Sequence, residues 1–133
     1  MGIEVRRVDF GNRQQAEALV CLLDAYARDP MGGAEPLSDA VRANLVDGLS
    51  RVPGAVALLA YLDGQPVGVT TAFAGFSTFA AKPLLNIHDI AVLPAFRGQG
   101  VAQALMAALE QIARERGCCK MTLEVLSNNH RAQ

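Results

Sequence analysis

A basic, glycine-containing turn between an apolar strand and an amphipathic helix is the segment best suited to chemistry. Arg97-Gly98-Gln99-Gly100 follows the apolar run that ends at Val92, and a helical pattern begins at Val101. Backbone N–H groups at the start of a helix lack intrahelical acceptors and carry the positive end of the helix dipole. A glycine there lets an anion approach the main chain without meeting a Cβ. The turn therefore predicts a site for a phosphorylated ligand.

Two other phosphate-binding motifs do not match this turn. The dinucleotide fingerprint needs a small residue three positions after its second glycine, and Gln103 stands there. A P-loop needs Gly-Lys-Ser/Thr, which the chain does not contain. The remaining alternative is an ordinary strand-to-helix turn without a ligand, because short glycine motifs also arise by chance.

Composition restricts the classes of protein to consider. The chain has 133 residues, 51% of them hydrophobic, and a formal net charge of −1, which is typical of one compact soluble domain. Its scattered Lys and Arg lack the basic footprint of a nucleic-acid binder. The charged N-terminus and the short apolar runs offer neither a signal peptide nor a membrane span, so we expect a cytoplasmic protein.

The three cysteines predict no special chemistry. Cys21, Cys118 and Cys119 have the spacing of neither a zinc site nor a redox pair, so we expect no bound metal. We expect all three to be reduced packing residues, because free Cys behaves as a small buried hydrophobe.

The periodicity of the apolar residues predicts a mixed order of elements in a single domain, residues 1–133. Strands are predicted at 3–8, 56–62, 67–76, 84–92 and 120–125, and helices at 13–28, after Ser38 up to Pro53-Gly54, and at 101–116. The path from the fourth strand through the last helix to the fifth strand is a βαβ unit. These two strands should therefore be parallel.

The pattern Arg97-x-x-Gly100-x-Ala102, after an apolar strand and the Pro94 turn, resembles the pyrophosphate-binding motif of the GNAT family of acetyl-CoA-dependent N-acetyltransferases. The element order also resembles the GNAT fold. The resemblance implies an α/β (α+β) fold with a mixed central sheet in the order β-α-α-β-β-β-α-β, and acetyl-CoA as co-substrate. It implies cofactor binding by Ile90, Ala91, Val92, Arg97, Gly98, Gln99, Gly100, Val101, Ala102, Gln103 and Asn129.

The last of these residues has an alternative interpretation. Val125-x-x-x-Asn129-x-x-Ala132 is similar to the family pattern in which an asparagine holds the pantetheine arm. The alternative role for Asn129 is that of a helix N-cap only, because Asn is a favoured residue at that position. The main chain of 90–92 is implied to bind pantetheine as an extra strand would pair with an exposed sheet edge.

Two residues of the fourth strand are candidates for catalysis. By position in the family, the backbone N–H of Ile90 is implied to stabilise the oxyanion that forms when an amine attacks the thioester. His88 is the first candidate for accepting the amine proton, since an imidazole titrates near about pH 6.5. Strict alternation puts His88 on the face of Ile90 and turns Asp89 to the other face, unless a bulge intervenes. The alternative for His88 is a hydrogen-bonded packing residue.

The acceptor implied by the resemblance is a primary amine of a small molecule. Residues 76–90 are similar to the diamine and polyamine acetyltransferase branch, although a glutamate usually stands there in place of His88. Acidic residues on the first helices and their loop could attract a cationic amine: Asp24, Asp29, Glu35 and Asp39. They are also typical of an ordinary solvated helix face.

The end of the sequence departs from the family pattern. The usual last helix and strands, and the tyrosine that often protonates the leaving thiolate, have no counterpart before Gln133. One expectation is therefore a homodimer that covers the edge of the strand at 120–125. The alternative to an active enzyme is a catalytically impaired CoA-binding or interaction module.

Overall fold

The computed structural model describes residues 2–29 and 33–123. The strands are β1 (Ile3–Arg7), β2 (Val56–Leu62), β3 (Gln65–Ser77), β4 (Lys82–Val92) and β5 (Met121–Leu123). The helices are α1 (Arg13–Arg28), α2 (Asp39–Ser50) and α3 (Val101–Glu115), with a short 3₁₀ turn at Pro94–Phe96. This order confirms the predicted β-α-α-β-β-β-α-β arrangement.

Side chains cap the N-termini of α1 and α2. The Asn12 side chain accepts a hydrogen bond from the backbone N–H of Gln15 at 3.0 Å, and Ser38 Oγ accepts one from Val41 at 3.2 Å. These bonds satisfy N–H groups that the first turns of α1 and α2 leave without intrahelical acceptors. Local side-chain chemistry therefore sets where both helices begin.

The five strands form one sheet in the order β1-β2-β3-β4-β5. The first three pairings are antiparallel, and β4 pairs with β5 in parallel, as the βαβ unit predicted. The parallel pairing extends only from Leu85 opposite Met121 to Ile87 opposite Leu123. The predicted residues 124 and 125 of the last strand lie outside the described part of the chain.

Helices cover both faces of the sheet and enclose two apolar clusters. On one face, Val101, Leu105 and Leu109 of α3 pack against the sheet and are almost fully buried. On the other face, Leu19 and Leu22 of α1 are buried, with α2 packed outside them. This α/β/α arrangement places the start of α3 beside the C-terminal end of β4.

A buried carboxylate attaches α2 to α1. Asp24 of α1 is 7% exposed and accepts a hydrogen bond from the backbone N–H of Leu37 at 2.9 Å. The same carboxylate pairs with Arg28 at 3.0 Å and with Arg42 of α2 at 3.7 Å. Because buried charges need such partners, Asp24 fixes where the chain enters α2.

The expectation of buried packing cysteines is wrong for two of the three. All are free thiols, but Cys21 and Cys119 are exposed, and only Cys118 is partly buried, against the cluster beneath α3. Cys21 lies on the outer side of α1, and Cys119 lies in the turn that precedes β5.

None of the helices in the described ranges combines the length and apolar character needed to cross a membrane.

Candidate active site

A β-bulge at His88 reorganises the C-terminal half of β4. Thr71 of β3 lies opposite Asp89 and Ala72 lies opposite Ile87, so His88 is an extra residue without its own partner. Two threonine hydroxyls support this irregularity. Thr70 Oγ1 donates to the Asp89 carbonyl at 2.6 Å, and Thr71 Oγ1 donates to the Asp89 carboxylate at 2.5 Å. Bulges of this kind redirect side chains and backbone groups.

The bulge directs the Ile90 main chain away from β3. The Leu85 N–H bonds Lys120 on the β5 side, whereas the Leu93 N–H bonds Val67 on the β3 side. In a regular strand, residues an even number of positions apart point their N–H groups the same way, so the extra residue has shifted the pattern by one. Counting back from Leu93, the N–H groups of Val92 and Ile90 face the side away from β3.

That side of β4 is an open edge. Pairing with β5 stops at Ile87, and no strand among residues 2–29 and 33–123 pairs with His88 to Val92 on that side. The Val92 carbonyl does meet a side chain there, because it accepts a hydrogen bond from Arg97 Nε at 3.2 Å. An edge with unpaired backbone donors and acceptors can bind an extended ligand as an additional strand.

The N-terminus of α3 lies at the end of this edge. Gly100 is its N-cap, with a φ of 88° in the left-handed region, and no side chain caps the helix. The first intrahelical bond is donated by Ala104 to the Gly100 carbonyl. The N–H groups of Val101, Ala102 and Gln103 therefore precede the hydrogen-bonded part of the helix and are available to an anion.

A cleft of about 680 Å³ joins the open edge to the helix N-terminus. It is lined by Tyr26, Ile90, Ala91, Val92, Phe96, Arg97, Gly98, Gly100, Val101, Ala102 and Gln103. Of the residues predicted to bind the cofactor, Gln99 is not in this lining; its side-chain amide lies 3.5 Å from the Ala95 carbonyl. Asn129 lies outside the described residues. The two segments predicted to share a ligand, 90–92 and 97–103, thus line one cavity.

Sequence reasoning missed two aromatic walls of this cleft. Tyr26 comes from the end of α1, and Phe96 comes from the 3₁₀ turn. Only the packing of α1 across the end of β4 brings Tyr26 to the cleft. Phe96 had a usable signal, since it is an aromatic residue directly before the basic turn.

His88 lies on the face of β4 opposite to Ile90, whereas strict alternation predicts the same face; Asp89 also lies opposite Ile90, as alternation predicts. Ile90 packs against the cluster beneath α3, while Asp89 bonds Thr71 on the side of α1 and α2. His88 is exposed, and its ring meets Phe73 edge-on at 4.7 Å between centroids. The bulge is the physical reason, because it places two consecutive residues opposite one residue of the partner strand. Both ionisable side chains therefore border the Phe73 side of the sheet.

A second, smaller cavity of about 290 Å³ lies on this side, beneath α1 and α2. Its two polar lining residues are Thr71 and Asp89. The apolar lining residues are Leu23, Leu45, Leu49, Val52 and Phe73. Asp89 precedes Ile90 directly, and a strand rises by about 3.3 Å per residue. The smaller cavity therefore meets β4 one residue away from the 680 Å³ cleft.

Residues 19–133 match the model of the acetyltransferase (GNAT) family. An uncharacterised N-acetyltransferase of Archaeoglobus fulgidus is 36% identical over 77 residues, which are 57% of this chain and 52% of that protein. The thialysine N-epsilon-acetyltransferase of Bos taurus is 31% identical over 110 residues, which are 74% of this chain and 64% of that protein. The chain thus spans between half and two thirds of the length of these relatives.

Solved structures agree on the architecture. The ribosomal-protein-alanine N-acetyltransferase from Brucella melitensis biovar Abortus 2308 superposes with a TM-score of 0.76. The alignment covers 95% of this chain and 82% of that structure, at 22% sequence identity. At this identity the likeness concerns the fold alone.

Proposed function

The chain belongs to the acetyltransferase (GNAT) family, and from this premise we propose that it transfers the acetyl group of acetyl-CoA to a primary amine of a small molecule. The observation that carries the proposal is the 680 Å³ cleft. It combines an open strand edge at Ile90–Val92 with the uncapped N-terminus of α3. A pantetheine arm and a pyrophosphate require this combination of backbone donors.

The residues present fit acetyl-CoA. Gly98 and Gly100 both have left-handed φ values, 79° and 88°, so the turn exposes backbone N–H groups with no Cβ beside them. Nothing within 4 Å would crowd a Cβ at Gly98, and Arg97 supplies a guanidinium suited to phosphate. The main chain of Ile90, Ala91 and Val92 supplies the strand-like contacts. Gln99 and Asn129 remain predicted ligands of the same group.

When bound, acetyl-CoA supplies a thioester carbonyl that a neutral amine can attack, so that an N–C bond forms and the C–S bond breaks. The Ile90 N–H, directed to the open edge, is proposed to stabilise the negative charge that develops on the carbonyl oxygen. His88 is proposed to accept the amine proton and release it to solvent, which its exposed position allows. The thiolate is a fair leaving group, so departure need not require a proton donor.

A small-molecule amine is favoured as the acceptor by the smaller cavity beside β4. It is bordered by apolar residues of α1 and α2 and has a carboxylate at Asp89. The bovine relative is a thialysine N-epsilon-acetyltransferase, which also supports an amine acceptor. A non-catalytic CoA-binding module is the less favoured candidate, because a module that only binds the cofactor has no need of an acceptor cavity.

A direct assay tests the proposal. The purified chain is incubated with acetyl-CoA and a panel of primary amines, and free thiol and acetylated amine are measured together, the latter by mass spectrometry. We expect stoichiometric thiol and acetyl-amine with at least one amine. Tight binding of CoA in calorimetry with no acetylated product from any amine would instead support the binding module.

A homodimer in the cytoplasm is also proposed. Leu123 at the end of β5 is 56% exposed, and the outer side of β5 has no strand partner among the described residues. A second copy would cover this apolar edge.

A further inference from the structure

We propose that the smaller cavity selects an amine with one ammonium group and an apolar body, rather than a polyamine. The inference rests on the proposed function and names the substrate class of that site. Its basis is the distribution of polarity in the wall, where the Asp89 carboxylate, with the Thr71 hydroxyl bonded to it, is the one charged group and aliphatic and aromatic side chains form the remainder.

Asp89 is the polar anchor of the cavity. Thr71 is 2% exposed and donates to Oδ2 of Asp89 at 2.5 Å, which holds the carboxylate in place. The ion pairs found among the described residues do not include Asp89. This carboxylate therefore has acceptor capacity left for a substrate ammonium, with which it forms a charge-assisted hydrogen bond.

The rest of the wall is unfavourable for a second charge. Leu23 of α1, Leu45 and Leu49 of α2, and Phe73 of β3 are apolar side chains facing the cavity. Their hydrocarbon surface gains from contact with an alkyl or aryl group, whereas an ammonium placed there would lose hydration without a partner. The volume of about 290 Å³ lies at the small end of the range of ligand sites.

The orientation of such an amine agrees with acetyl transfer. Asp89 precedes Ile90, whose N–H faces the open edge, and His88 lies on the other side of Asp89 in the bulge. An amine bound at Asp89 is thus held within about one strand residue of the proposed thioester position. Asp89 binds the ammonium, His88 takes one proton from it, and the neutral nitrogen attacks.

The test compares hexylamine with 1,6-diaminohexane, which differ only by a hydrogen in place of the second ammonium group. We expect a kcat/KM at least about tenfold higher for hexylamine. Val52→Asp adds a carboxylate at a cavity residue that is 41% exposed, and should shift the preference towards the diamine by about tenfold. Val41→Asp is the matched control, since Val41 is 46% exposed on α2 and does not line the cavity.

Binding is measured separately by methyl NMR without acetyl-CoA. Millimolar hexylamine should shift the methyl signals of Leu45, Leu49 and Val52 but not those of Leu109 on the other face of the sheet, and Asp89→Asn should abolish the shifts. A preference for the diamine, or equal effects of Val52→Asp and Val41→Asp, would overturn the inference while acetyl transfer stands. Methyl shifts with no acetylation of any amine would support the cavity assignment and refute the proposed function.

Discussion

Arg97, which lines the cleft, forms an ion pair with Asp29 at the end of α1, with 3.1 Å between Nη2 and Oδ2. Asp29 is the C-cap of α1, and Arg97 belongs to the turn before α3, so the pair joins elements that are 68 residues apart in sequence. The same guanidinium donates from Nε to the Val92 carbonyl at the open edge. The Arg97 side chain, which is proposed to bind phosphate, is therefore already paired with a carboxylate of the chain.

The first prediction is that Asp29 competes with the phosphates of CoA for Arg97. Asp29→Asn should strengthen CoA binding by about two- to fivefold, because an exposed ion pair of this kind contributes up to about 1 kcal/mol. Glu17→Gln is the matched control, since it removes a carboxylate from the Arg13–Glu17 pair at the other end of α1. Calorimetry at low salt provides the measurement, and equal or weaker binding by Asp29→Asn would contradict the competition.

The second prediction concerns the left-handed backbone at the start of α3. Gly100→Val and Gly100→Ala should weaken CoA binding by at least about tenfold, since a Cβ at φ 88° strains the turn that presents the N–H groups. Gly117→Ala introduces comparable strain at φ 71° beyond the end of α3, and Gln111→Ala alters the exposed helix surface. If all four variants bind CoA equally in calorimetry, this turn is not the phosphate site.

Much of the fold follows from local signals in the sequence. Asn12 and Ser38 are favoured N-cap residues and cap their helices, and Asp63-Gly64 forms the β2–β3 turn with φ values of 52° and 80°, which Asp and Gly tolerate. Each of these features depends on residues only a few positions apart. The segment 97–103 was predicted for the same reason, because a helix start and its preceding turn are adjacent in sequence.

The parts that were missed depend on register or on distant contacts. The bulge at His88 results from how β3 and β4 pair, and single-strand alternation contains no information about pairing. A signal was nevertheless present: Thr70 and Thr71 interrupt an apolar strand, and buried hydroxyls require acceptors. Here both hydroxyls bond Asp89. The approach of Tyr26 to the cleft and of Asp29 to Arg97 has no such local signal.

The third prediction tests His88 as the proton acceptor. His88→Ala should lower the rate of acetyl transfer at neutral pH by about tenfold or more and leave CoA affinity nearly unchanged. His88→Gln keeps a polar side chain of similar reach beside Phe73 and should be equally slow, whereas a merely packing role would be largely restored by it. An unchanged pH–rate profile in both variants would remove His88 from the mechanism.

The fourth prediction concerns self-association through β5. Sedimentation velocity at micromolar concentration should show a dimer, and Leu123→Lys should shift it towards monomer, because a charge on an exposed edge disfavours pairing. Val41→Lys, at a comparably exposed site on α2, should leave the association unchanged. A strictly monomeric species with slow amide exchange in β5 would show that the chain itself protects the edge.

The last prediction connects the packing of the sheet to the position of the cleft. A Cβ at Gly68 of β3 would lie 2.7 Å from Cγ1 of Val101 and 3.2 Å from Cδ1 of Leu105. Val101 is β-branched and buried at the first turn of α3, so it cannot rotate away, and the helix start itself must move. Gly68→Ala should therefore lower the free energy of unfolding by about 1–3 kcal/mol and weaken CoA binding as well.

Gly48→Ala in α2 is the matched control for this substitution. A Cβ there meets nothing within 4 Å, and alanine in a helix interior is favoured over glycine by about 1 kcal/mol, so this variant should gain stability. Urea unfolding without ligand measures both variants, and calorimetry measures CoA binding. A Gly68→Ala protein as stable as the parent would mean that β3 and α3 are less closely packed than the 2.7 Å contact requires. A destabilised variant with unchanged CoA affinity would show that the position of Val101 does not determine CoA binding.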